Sequence, residues 1–62
     1  MRNREFLYLS IEVSENQTLE QKIKEVVEEI ESYDWNVVAY DINPHEVYKN
    51  RYIMTVYMEK EE

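Results

Sequence analysis

His45, Glu46 and Asp41 are the residues of this chain whose types could do acid–base or metal chemistry. A histidine beside a carboxylate can share a proton with it, and carboxylates around a histidine can begin a metal shell. The pattern goes no further. A metal site needs three or four converging ligands. With 1 histidine and 0 cysteines, the chain has no multi-histidine or thiolate centre of its own, and only an interface between subunits could gather more ligands. A lone loop histidine reads first as structural. Ser10, Ser14 and Ser32 lack the setting of an activated nucleophile, and without glycine no loop cradles phosphate. The 14 acidic residues offer carboxylate pairs, but none has the spacing that sets two carboxylates in opposed catalytic roles. The sequence reads as non-enzymatic, with no catalytic residue and no metal.

The elements that would position any site are organised around one helix, expected over Thr18–Tyr33. Leu19, Ile23, Val26, Val27 and Ile30 recur with a 3.6-residue period, and Tyr33 extends the stripe. Thr18 followed by Gln21 is a capping-box pattern. Glu20 precedes Lys24 by one helical turn, the favoured direction for an ion pair. The far end is acidic: Glu25, Glu28, Glu29, Glu31 and Asp34 occur with no basic residue among them. Carboxylates near a helix C-terminus oppose the dipole by roughly 0.3–1 kcal/mol each. The simple reading is a solvated face. The functional reading is an acidic surface for a basic protein partner.

Strand-like runs flank the helix. In Glu5–Val13, Leu7, Leu9, Ile11 and Val13 alternate with Phe6, Tyr8, Ser10 and Glu12. Trp35–Ile42 has two largely apolar faces, one of Trp35, Val37, Ala39 and Asp41, the other of Asn36, Val38, Tyr40 and Ile42. The first is favoured beneath the helix because small Ala39 permits close approach. Asn43–Asn50 is a loop opened by an Asn-Pro turn signal. Arg51–Met58 is a third strand, followed by a charged tail, Glu59–Glu62. Met1–Arg4 is a basic head.

The expected fold is α+β, a β-α-β-β two-layer sandwich in a single domain, 1–62. One helix lies on a three-stranded antiparallel sheet of order 1-3-2. The crossover is right-handed, and the order brings Arg2 and Arg4 near Glu59 and Glu61. One helix covers one face only. The other carries Phe6, Tyr8, Tyr40, Ile53 and Tyr57, an aromatic–aliphatic patch of the kind that marks interfaces. A loop or tail folded over it is the bland alternative. Self-association through this face or a free strand edge is the favoured one, because 62 residues bury only about 60% of their unfolded surface.

The net charge of −7 opposes direct nucleic-acid binding and anionic membranes. No apolar run has the length of a membrane span, and the expectation is a cytoplasmic protein. Small size and acidity would suit an accessory inhibitor, of a viral type, acting on a nucleic-acid-binding protein.

Trp35 is the most distinctive single residue, either a core aromatic at the helix–strand junction or a stacking surface for a planar ligand. With a β-α-β-β order, Trp35 opening the second strand and Tyr52-Ile53-Met54-Thr55-Val56 in the third, the chain resembles the dodecins, small flavin-binding proteins that assemble into hollow dodecamers. The resemblance implies an oligomer and flavin bound at Trp35. The family's flavin-contacting glutamine falls at Ile53 here, and its hairpin glycines are absent. The readings are therefore an acidic self-associating interaction protein, a dodecin-like flavin binder or store, and a structural or designed fold with no ligand.

Overall fold

A computed structural model describes residues 2–61, so Met1 and Glu62 of the expected head and tail lie outside the described residues. The element order is β1 (Arg2–Glu12), α1 (Leu19–Glu31), β2 (Asn36–Pro44) and β3 (Arg51–Glu61). The sheet is antiparallel with order β1-β3-β2, and α1 covers one face. This is the expected β-α-β-β sandwich.

α1 starts where its chemistry requires. The Thr18 hydroxyl accepts from the Gln21 amide at 3.1 Å, while the Gln21 side chain accepts from the Thr18 amide at 2.9 Å. Two otherwise orphaned donors are thereby satisfied reciprocally. The helix stops at Glu31, earlier than the apolar stripe suggests. Ser32 caps it, its amide donating to the Glu28 and Glu29 carbonyls, while the Tyr33 amide donates to the Ile30 carbonyl. Asp34 then takes φ 67°, a left-handed turn that aspartate tolerates. Tyr33 falls past the last helical turn and is exposed.

Two charge expectations change. Glu20 and Lys24 do not pair; the helix surface carries Lys22–Glu25 at 3.8 Å instead. The acidic helix end is also not without a cation. Lys60, 27 residues beyond Tyr33, donates to the Tyr33 carbonyl at 3.2 Å. Its charge opposes the negative pole of the helix.

Arg2–Arg4 of the basic head and Glu59–Glu61 of the charged tail are strand. β1 begins at Arg2 because the tail pairs with it: Arg2 opposes Glu61 and Arg4 opposes Glu59. Arg4–Glu59 approaches to 3.3 Å, Arg2–Glu59 to 3.7 Å and Arg2–Glu61 to 3.8 Å. Each such exposed pair is worth about 0–1 kcal/mol, but together they favour this register over its neighbours.

The second strand departs from the expected alternation. Its register shifts between Val37 and Ala39, leaving Val38 as an extra, unpaired residue. A bulge of this kind resets which face each later residue takes. Val37 opposes Met58 on the helix side, whereas Ala39 opposes Tyr57 on the open side. Ala39 is therefore not beneath the helix. Tyr40 and Ile42 take that side, opposite Val56 and Met54.

The core is Ile11, Ile30, Met54, Val56 and Met58, with Met54 and Val56 wholly buried. Three of the five lie on β3, the central strand. Partly buried Leu7, Leu9, Ile23, Val27 and Val37 pack around them.

Thr18→Ala should lower unfolding stability by about 1 kcal/mol, the usual loss of a cap, read from the urea midpoint at unchanged slope. Asp34→Gly should raise it by about 0.5–1 kcal/mol, since glycine adopts the left-handed turn freely and one charge leaves the helix C-terminus. At about 4–8 °C per kcal/mol for a domain of this size, thermal melts resolve both.

Candidate interaction site

Directly opposed residues of antiparallel strands share a face, so the register sorts the expected interface residues. Phe6 opposes Tyr57, Tyr8 opposes Thr55, and Ser10 opposes Ile53, all on the face turned away from α1. Phe6 and Tyr57 stack with centroids 4.9 Å apart and ring planes 29° from parallel. Phe6 is 60%, Tyr8 72% and Ile53 39% exposed. Tyr40 does not join them. The Val38 bulge sets it opposite buried Val56, on the helix side at the β2 edge. β2 instead presents Ala39, Asp41 and Asn43 to the open face, opposite Tyr57, Thr55 and Ile53. The apolar patch is thus narrower than the sequence suggests and concentrated on β1 and β3.

A second apolar surface lies on the other side of β1. α1 approaches β2 more closely than β1. A groove of about 670 Å³ remains between helix and strand. Leu7, Leu9 and Ile11 line it from β1, and Val26, Ile30 and Tyr33 from the chain opposite. Trp35 lines it too and packs against the core, as its place at the junction suggested. The Lys60 ammonium sits 5.5 Å from the Trp35 ring centroid, a cation–π distance. A flavin stacking on that ring face would have to displace Lys60.

Glu25, Glu28, Glu29, Glu31 and Asp34 are all exposed. Glu29 borders the groove together with Glu12 and Lys22. Glu25 and Glu28 flank a separate polar depression with Ser14, Asn16 and Lys24. Glu31 and Asp34 are exposed at the helix end.

His45 has a defined structural task. Its Nδ1 accepts from the Val47 amide at 3.1 Å and the Tyr48 amide at 3.2 Å, and its own amide donates to the Arg51 carbonyl at 2.9 Å. Tyr48 packs against the His45 ring at 5.1 Å, with the Arg51 guanidinium 5.7 Å from the Tyr48 centroid. Asn50, at φ 64°, closes the loop. Glu46 is exposed and Asp41 accepts from Asn43 at 3.2 Å, so the three acid–base candidates do not converge. Among the described residues no cluster of His, Asp and Glu is placed to hold a metal ion. Nor is any helix there long and apolar enough to cross a membrane.

The chain matches no family model, no curated protein and no solved structure. The site's own geometry carries the functional argument.

The groove and the Lys60–Trp35 contact depend on where α1 lies over the sheet, and only pairing between distant segments sets that. The task of His45 could have been found, since a polar side chain two and three residues ahead of free loop amides is a common turn device. His45→Ala should leave the sheet folded and speed hydrogen exchange at the Val47 and Tyr48 amides by roughly tenfold, the equivalent of one net hydrogen bond.

Proposed function

We propose that this protein is a non-catalytic interaction module that assembles with copies of itself through the open face of its sheet. The observation that carries this reading is the exposure of Phe6, Tyr8 and Ile53 around the Phe6–Tyr57 stack. Each exposed side chain of this kind gains about 1.5–3 kcal/mol when fully buried. A two-fold axis through the sheet would bury the patch against its own copy, the commonest arrangement of small oligomers. The polar β2 side, Asp41 and Asn43, would form the rim.

The acidic residues support a second, compatible contact. Glu25, Glu28 and Glu31 stay exposed on α1, on the layer opposite the open face. An assembled module therefore keeps its acidic helices outward, available to a protein with a basic surface. Net charge of −7 would steer such a partner over distances of about a Debye length.

Light scattering on a sizing column should give a mass that is a multiple of the protomer and that persists in high salt, as apolar contact requires. Phe6→Lys and Tyr8→Lys together should return the monomer with an unchanged circular dichroism spectrum. Lysine reduces rather than increases the net negative charge, so dissociation would report lost apolar contact. Glu15→Lys, in the exposed loop before α1, is the charge control and should leave the mass unchanged. A monomeric wild type, or an oligomer indifferent to both lysines, would discard the open face as the interface.

A further inference from the structure

β1 is an edge strand, since the sheet order is β1-β3-β2. Which of its backbone groups face outward follows from one bond. The Val13 amide donates to the Asn50 carbonyl at 2.8 Å and continues the β1–β3 register by one step. In an antiparallel ladder the N–H and C=O of one residue point to the same side, and the side alternates along the strand. Leu7, Leu9 and Ile11, in phase with Val13, therefore turn their backbone groups inward, to Val56, Met54 and Tyr52. Arg4, Phe6, Tyr8, Ser10 and Glu12 turn theirs outward, to the rim of the sheet. Such a rim is a template for another strand.

The order of side chains along this stretch selects that strand. Antiparallel pairing with a second copy, about a two-fold at Tyr8, sets Arg4 opposite Glu12 of the copy, Phe6 opposite Ser10 and Leu7 opposite Leu9. Leu7 and Leu9 are only half-buried within one chain and would cover each other on the helix side. Glu5 would face Ile11, which at 6% exposure needs no cover. Within one chain Arg4 lies 3.3 Å from Glu59, and Glu12 lies 3.4 Å from Arg51. Pairing extends these to a row of four charges across neighbouring strands: Glu59 and Arg4, then Glu12 and Arg51 of the copy. The signs alternate throughout, and opposite charges directly across a ladder stabilise it.

Other registers are poorer. A slip of one residue sets outward backbone groups against inward ones and mixes the two faces. A two-residue slip one way sets Phe6 against Glu12. The same slip the other way keeps a charge pair through Arg2 but sets half-buried Leu9 against Glu5.

We propose that β1 pairs antiparallel with β1 of a second copy about a two-fold at Tyr8, joining two three-stranded sheets into one of six strands. The contact is isologous and closes on itself. It is separate from the open-face contact, since it joins sheets side by side through backbone groups, whereas the open face stacks one sheet on another.

Hydrogen exchange read by NMR over a series of protein concentrations tests this directly. The Phe6, Tyr8 and Ser10 amides should exchange freely in the diluted monomer. They should slow by about tenfold or more on assembly, the equivalent of one net hydrogen bond, while Leu7 and Leu9 stay protected throughout. An assembly in which Phe6, Tyr8 and Ser10 still exchange freely would overturn the paired rim and leave the open face standing. A monomer at every concentration would overturn both. Ile53→Lys, on β3, removes the open-face contact alone and should leave a dimer with these amides protected; a monomer would count against the rim. Ser10→Pro deletes an outward donor and no β1–β3 bond, a place where a rim strand tolerates proline. It should weaken the Ile53→Lys dimer by at least about tenfold with an unchanged circular dichroism spectrum, and an unweakened dimer would rule out strand pairing. Arg4→Glu and Glu12→Arg should each weaken that dimer roughly tenfold, because like charges then face each other at both ends. Mixed together, the two variants should form mixed dimers in excess of the statistical share, read by native mass spectrometry. A statistical mixture would overturn the register.

Discussion

The structure depends on one mismatch of lengths. α1 has 13 residues and is about 20 Å long. β1 and β3 have 11 residues each and reach about 37 Å. The helix can bury the middle of β3, where Met54 and Val56 lose all contact with water, but not the whole sheet beneath it, and none of the face behind. The accessible surface of 5016 Å² exceeds the about 4,300 Å² expected for a compact chain of 7.7 kDa. The radius of gyration, 12.6 Å, exceeds the about 10.5 Å typical of this length. The protein is a thin slab of 40 × 22 × 13 Å, with a core of five buried residues among those described.

Much of this was legible in the sequence because it is local or set by sign. Thr18 and Gln21 specify the helix start within four residues. Arg2, Arg4, Glu59 and Glu61 reveal the pairing of the chain ends through opposite charge. The strand order follows from the position of the hairpin and the single helix. What was not legible depends on pairing across the sheet. Nothing in Asn36–Ile42 says that Val38 will be skipped by its neighbour, so the faces of Ala39 and Tyr40 were misassigned together. A one-residue slip moves every later side chain to the other side, and both faces of this segment are apolar enough to accept either result. Lys60 reads from the sequence only as part of a charged tail, yet pairing along β3 carries it to the helix end.

The two apolar surfaces share β1 as their common border. Phe6 and Tyr8 stand on one side of it, Leu7 and Leu9 on the other. A strand that is apolar on both sides normally lies within a sheet, and here it lies at the rim. Only its middle, Phe6–Leu9, is apolar on both sides in the manner of an interior strand. The acidity fits the same picture. Net negative charge keeps copies apart where they are not matched in shape, and leaves the contacts with matched surfaces to decide which form.

The Val38 bulge has a last consequence. A sheet with two free rims could lengthen without limit, copy upon copy, into a fibril. β1 is regular and open, but β2 is interrupted at Val38 and ends in Pro44, which has no amide to offer. Irregularity and proline are the usual guards against edge-to-edge growth. One skipped residue and one proline make β2 a poorer template for a further strand than β1, so the two rims of this sheet are not equivalent.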